Sequence, residues 1–266
     1  MGNPTKKRVR SGSQKDTGQE IIYGRQVIRE YLKKGKAIKL FIAEDSKGSA
    51  VDDIRIAARA KNIATEVLTR NQFALLVDEA EGNQGVAALV PAFQYISLHD
   101  LMIKGSKGLA EEHPLFLMLD HIEDPRNLGS VIRTACAAKL QGIIIPKNRA
   151  AHVTPSVRKA AAGLVESIPM AMVSNLVQAL KALKKAGFWV YGIEASGDVN
   201  YYTVDYKLPL VIVAGSEGKG LTRLVRDSCD RILSIPMPGE SSSLNVSVAT
   251  ALVIYEALSQ REKWIR

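Results

Sequence analysis

The chain predicts an α/β protein in which a parallel sheet covered by helices follows a smaller α/β unit. Three observations carry this expectation. The length of 266 residues exceeds one average domain and suits two. From Leu115 onward, continuous apolar runs of strand length alternate with amphipathic helical stretches, the pattern of strands buried on both faces. Between the halves, residues 92–113 gather Gly105, Ser106, Lys107, Gly108, Glu111 and Glu112 ahead of Pro114, a polar break that reads as a linker.

In the first unit, residues 21–34 predict a helix with Val27, Ile28, Tyr31 and Leu32 on one face. Short apolar runs at 38–43, 64–68 and 86–90 predict strands, the last stopped by Pro91, and 51–61 and 71–77 predict helices. Residues 21–91 thus form a small foldable unit with no catalytic constellation, only scattered Lys and Arg suited to a binding surface. The linker is expected to hold a short helix over 98–103. In the second unit, 114–266, strands are expected at 115–119, 142–146, 188–194, 210–214 and 232–235. Helices are expected at 128–140, 155–163, 176–186, 221–227 and 246–258, the first with Leu128, Val131, Ile132, Ala135 and Cys136 on one stripe. Ligands of such sheets bind beyond the carboxyl ends of strands, which points to the loops after Leu119, Ala214 and Ile235.

The net charge of +9 favours a polyanionic partner. Residues 1–20 hold Lys6, Lys7, Arg8, Arg10 and Lys15 against Asp16 and Glu20, a net of +3 with little apolar content. Such a segment reads as a disordered tail, with a basic arm that touches phosphates as the sharper alternative. No apolar run reaches the roughly 18 residues of a membrane span. Cys136 and Cys229 sit among apolar neighbours in expected helices, as buried free thiols of a reducing compartment do. His99, His113, His121 and His152 lack metal-ligand spacing. The chain starts Met-Gly, but Lys6 stands where a myristoylation signal needs Ser or Thr, and no signal-peptide core follows; a cytoplasmic protein is expected.

Each of the three loops has a bland reading. In the first, Asn127 suits a helix N-cap and Arg133 a solvated helix position. Arg133 nevertheless lies off the apolar stripe, beside the small residues Gly129 and Ser130, where another molecule could approach. The second, GSEGKGL from Gly215, lets backbone come close to a ligand, but it is no P-loop, because Gly220 follows Lys219. Its glycines are also ordered wrongly for a dinucleotide fingerprint. Glu217 would repel a phosphate, which leaves a ligand carrying hydroxyls or positive charge, or a structural contact. In the third, IPMPGESSSLNVSVA, Ser243 or Asn245 suits an N-cap, yet three serines and an asparagine exceed what one cap uses.

Taken together and in order, DPRNLGSVIRTA, GSEGKGL and IPMPGESSSLNVSVA resemble the three signature motifs of the SpoU/TrmH-type RNA 2′-O-ribose methyltransferases of the SPOUT superfamily. The likeness covers nearly all of 115–260, including TPSVRKAAAGLVESIP between the motifs. The first unit resembles the ribosomal-protein-L30-like substrate domain of the large-subunit rRNA guanosine methyltransferases. The resemblance implies a deep trefoil knot at the C-terminal end of the sheet, S-adenosylmethionine bound in bent form within it, and a homodimer. Gly215, Ile235 and Leu244 would contact the cofactor, mostly by backbone. Asn127, Arg133, Glu217, Ser243 and Asn245 would line the catalytic pocket. Ser241, where many relatives carry an aliphatic residue, is read as a local packing difference.

The reaction so implied is methylation of a ribose 2′-hydroxyl in 23S-type ribosomal RNA, with guanosine as the expected nucleoside. A guanidinium stays protonated in proteins, so Arg133 is expected to grip the neighbouring phosphate and stabilise the developing alkoxide, while water or a neighbouring group takes the proton. A tRNA ribose methyltransferase, an rRNA adenosine methyltransferase and a non-catalytic RNA-binding assembly factor are the alternatives.

Overall fold

A computed structural model describes residues 18–77, 82–106, 113–239 and 243–261. Most of the basic tail, part of the linker and Ser241 lie outside the described residues. The described residues build two sheets. The first comprises β1 (Gln19–Tyr23), β2 (Lys39–Ala43), β3 (Ala64–Leu68) and β4 (Val86–Pro91) in the order β1-β4-β2-β3, with helices α1 (Arg25–Lys33), α2 (Ser49–Ala60) and α3 (Arg70–Leu76). Its β2–β3 pair is parallel, while β4 runs antiparallel to β1 and β2. β1 corrects the expectation of a helix from residue 21. Ile21, Ile22 and Tyr23 pair with Leu89, Ala88 and Ala87, and Gly24 at φ 98° turns the chain before α1 starts at Arg25. Gln19 and Glu20 also belong to this strand rather than to the tail. The α1 face holds as expected, with Val27, Ile28, Tyr31 and Leu32 buried.

The second sheet has seven strands, all parallel, in the order β7-β6-β5-β10-β8-β11-β9. These are β5 (Leu115–Asp120), β6 (Gly142–Pro146), β7 (Met170–Val173), β8 (Trp189–Ile193), β9 (Val199–Asn200), β10 (Leu210–Gly215) and β11 (Arg231–Ser234). The central β5, β6 and β10 are buried along their whole length, as continuous apolar runs require. One face is covered by α5 (Pro125–Ala137), α6 (Pro155–Ala160) and α9 (Val246–Gln260), with Leu117, Ile143 and Ile212 pointing into that core. The other is covered by α4 (Leu98–Ser106), α7 (Leu176–Lys185) and α8 (Arg223–Arg226), with Phe116, Ile144 and Val211 beneath them.

Several expectations need correction. The described part of the supposed linker packs on the second sheet: Leu101 of α4 is fully buried, and a β-carbon on Gly142 would meet its Cδ1 at 2.3 Å. β7, the apolar run MAMV, and the two-residue β9 are further strands that were not expected. The helix expected over 155–163 ends at Ala160 and continues as a separate 3₁₀ turn, Leu164–Ser167. α8 is a single turn, so Cys229 lies in the turn after it rather than in a helix. Cys136 and Cys229 are free and half-buried, and burial pushes their thiols up to about 11 and about 12.

A polar cluster joins the two units. Arg158 is completely buried and pairs with Glu20 of β1 and with Glu166 at 2.8 Å. Tyr31 donates to the same Glu166 oxygen at 3.0 Å, Lys36 pairs with the other, and Lys34 reaches Ser167 Oγ at 2.6 Å. The guanidinium carbon of Arg158 sits 5.3 Å from the Tyr31 ring centroid and 5.9 Å from that of Phe93. Gly163 packs so closely on α1 that a β-carbon would lie 2.9 Å from Glu30 Cβ.

Candidate active site

The site forms where β5 and β10 end side by side, Asp120 paired with Gly215. Their following loops therefore leave the sheet as neighbours, while β11, one strand beyond β8, delivers the third loop. Asp120 is fully buried and ties two loops together. Its Oδ2 accepts from the Thr222 backbone N–H at 2.6 Å and the Thr222 hydroxyl at 2.8 Å, and its Oδ1 meets His121 Nδ1 at 2.5 Å. His121 holds φ 57°, an uncommon conformation for a side-chain-bearing residue.

The first loop leads into α5, whose N-cap is Asp124, accepting from the Arg126 N–H at 2.8 Å. Asn127 is thus not the cap; it lies in the first turn with its amide free for other work. Its Nδ2 donates to Glu217 Oε2 at 3.1 Å, and its Oδ1 accepts from Asn245 Nδ2 at 3.0 Å. Asn245 Nδ2 also lies 3.4 Å from Glu217 Oε2. Asn245 does cap α9, its Oδ1 accepting from the Ser247 N–H at 2.9 Å and the Ser247 hydroxyl at 2.6 Å. One residue from each of the three loops therefore closes a single hydrogen-bonded triangle, and Glu217 makes the structural contact that its chemistry left open.

Gly215-to-Gly220 closes on itself: Ser216 and Gly220 exchange backbone hydrogen bonds at 3.1 and 2.9 Å. A β-carbon on Gly215 would lie 2.2 Å from the Gly220 carbonyl carbon, so the glycine is required by the loop's own backbone. Between this loop, the β11 loop and residues after β8 lies a cleft of about 440 Å³. Gly215, Ile235 and Leu244 line it, as do Glu217 and Ser243. Glu194, Ser196 and Thr250, which sequence reasoning missed, line it too. The β8 loop carries no motif in the sequence, and Thr250 sits inside a helix where a hydroxyl gives no signal.

Arg133 stands apart from the triangle. It is exposed, makes no hydrogen bond or ion pair among the described residues, and lies six residues after Asn127. At 3.6 residues per turn that places it about 120° around the helix, on the outer face with Arg126 and Ser130.

The residues fit a sulfonium cofactor better than a nucleoside polyphosphate. Two carboxylates, Glu194 and Glu217, line the cleft against one ammonium, Lys219, and apolar Ile193, Ile235, Leu244 and Val246 complete it. Glu194 is itself held by Arg226 Nε at 2.7 Å.

Comparison with known proteins agrees with this arrangement. Residues 114–255 match the SpoU rRNA methylase family, and 21–96 match the substrate-binding domain of RNA 2′-O-ribose methyltransferases. The chain is 40% identical over 244 residues to YacO of Bacillus subtilis, named as a TrmH-family tRNA/rRNA methyltransferase, covering 91% of this chain and 96% of that protein. A Staphylococcus aureus protein named for the same family is 39% identical over 242 residues, with the same coverage. Among solved structures, the SpoU methyltransferase AviRb of Streptomyces viridochromogenes with bound AdoMet shares the fold at TM-score 0.74 and 24% identity, over 92% of each chain. An AdoMet-bound rRNA methyltransferase of Sinorhizobium meliloti superposes at TM-score 0.69 with 26% identity, over 91% of this chain and 88% of that one. The chain belongs to the SpoU/TrmH family of RNA methyltransferases.

Proposed function

We propose that the protein methylates a ribose 2′-hydroxyl, that of a guanosine in large-subunit ribosomal RNA, with S-adenosylmethionine held in the cleft between the β10 and β11 loops. The observation that carries this reading is the Asn127–Glu217–Asn245 triangle, which joins all three motif loops beside that cleft. The backbone around Gly215, Ile235 and Leu244 would hold the cofactor, and bound there it supplies a methyl group already activated on a sulfonium. Asn127 and Asn245 fix the Glu217 carboxylate, and Ser243 on the rim would orient the incoming ribose. Arg133, unpaired on the outer face of α5, would grip the phosphate next to the target ribose and stabilise the developing alkoxide, while water or a neighbouring group takes the 2′-hydroxyl proton. Residues 21–91 would present the RNA, with 114–266 as the methyltransferase domain and the trefoil knot threading its C-terminal end.

A homodimer in the cytoplasm completes the proposal. α9 is apolar on nearly every side, a property of helices buried all round. Its outer face leaves Val248 and Tyr255 each 47% exposed and Leu252 38% exposed, a stripe that a second copy would cover. Among the described residues no helix is long and apolar enough to cross a membrane.

Mapping 2′-O-methyl positions in ribosomal and transfer RNA from cells with and without the gene tests the substrate. Loss of one methylated guanosine in large-subunit RNA is expected. Loss confined to a transfer RNA would reject the ribosomal assignment, and no lost position would reject the activity.

A further inference from the structure

Three buried side-chain polar atoms of the described residues lack a hydrogen-bond partner: His152 Nε2, Arg158 Nε and Thr250 Oγ1. The first two have aromatic neighbours and do not line the cleft. His152 lies edge-on to Tyr95 at 6.2 Å, and the Arg158 guanidinium carbon lies within 5.9 Å of the Tyr31 and Phe93 ring centroids. Thr250 has no such company. It lies on the second turn of α9 with no surface exposed, and it is the one of the three that lines the cleft, beside Val246 and Ala249. A threonine in a helix often returns its hydroxyl to the carbonyl four residues back, but here that bond is not made. An unpaired buried hydroxyl costs about 1–3 kcal/mol, so its presence at the floor of a cleft calls for a partner from outside the chain. Because Thr250 lines the cleft, a small molecule seated there is the partner that its position admits.

We infer that Thr250 is a cofactor-binding residue, whose hydroxyl is satisfied by a hydrogen bond from or to S-adenosylmethionine. The inference rests on the cofactor reading above and adds a side-chain hydroxyl to the backbone contacts expected from Gly215, Ile235 and Leu244. It gives the hydroxyl opposite effects in the two states: a burden on the empty protein and a hold on the loaded one. Removing it should therefore raise stability while lowering affinity, a combination that a packing role does not produce.

The test uses the full chain, with titration calorimetry of S-adenosylmethionine and thermal melting without ligand, for wild type, Thr250→Val and Thr250→Ser. Valine keeps the branched shape and deletes only the hydroxyl. Thr250→Val should bind about three- to tenfold more weakly, the worth of one neutral hydrogen bond, and melt no lower than wild type when empty. Thr250→Ser should keep affinity within about twofold. Equal affinity of wild type and Thr250→Val would overturn the inference. So would a clear fall in the empty protein's melting temperature for Thr250→Val, because it would reveal a partner inside the fold. A wild type that binds no S-adenosylmethionine would sink the cofactor reading and this inference with it.

Discussion

At Asn245 one amide serves two purposes: its oxygen caps α9 through Ser247, while its nitrogen reaches Asn127 and Glu217. The residue-by-residue reading of the sequence foresaw a cap or a ligand contact there, and treated the two as rivals. It could not foresee that a short polar side chain at a helix start does both, because the second contact depends on strands far apart in the chain ending together. Asn127 illustrates the converse. A good capping residue was expected to cap, but Asp124 takes that position three residues earlier and leaves Asn127 for Glu217. In the proposed reaction, Arg133 is the residue on which the chemistry rests most. Arg133→Ala should lower turnover by about 10²–10³, the usual cost of losing one preorganised charge-stabilising donor. Its affinity for S-adenosylmethionine should stay near that of wild type, since Arg133 does not line the cleft. A tritiated-methyl assay paired with calorimetry reads both; near-normal turnover would remove Arg133 from the mechanism.

Among elements, the glycine loop after β10 and the buried pairing around α6 are where backbone and charge leave least freedom. Gly215→Val would place a side chain on the Gly220 backbone, so the loop that walls the cleft could not close. Cofactor affinity should fall by about tenfold or more, equivalent to upward of about 1.4 kcal/mol. Unchanged affinity would show that the loop tolerates the substitution and does not shape the cleft. Arg158 on α6 neutralises Glu20 from the first unit and Glu166 from the second in a water-poor setting. Arg158→Ala should lower stability by about 3–5 kcal/mol in urea unfolding, since it takes away the cation paired with Glu20 and leaves Glu166 with Lys36. A loss below about 1 kcal/mol would mean that Arg158 does not hold the two units together. None of this pairing was visible in the sequence. Glu20 was counted with a solvated tail, because charge and low hydrophobicity look alike whether a segment is loose or clasped. β1 was hidden for a related reason: Ile21, Ile22 and Tyr23 run directly into the helical stripe of α1, and only the turn at Gly24 divides them.

For the whole molecule, alternation of apolar runs with amphipathic helices was enough to foresee a covered parallel sheet, and the motif loops emerge at its carboxyl edge. The order of its strands was not legible, because periodicity reports which faces are buried and says nothing of which strands are neighbours. That order is what sets Asp120 beside Gly215 and so assembles the site. The same limit hid the apolar outer face of α9, which a sequence pattern cannot tell from core. If a second copy covers it, Leu252→Asp should turn a dimer into a monomer in sedimentation experiments, with the fold retained. A monomeric wild type would reject the dimer. The most direct test of the account is chemical: incubate the protein with tritiated S-adenosylmethionine and unmodified large-subunit RNA, then hydrolyse in alkali. A methylated 2′-oxygen blocks cleavage of its own phosphodiester, so the label should appear in alkali-resistant dinucleotides, and label released as mononucleotides would contradict ribose methylation.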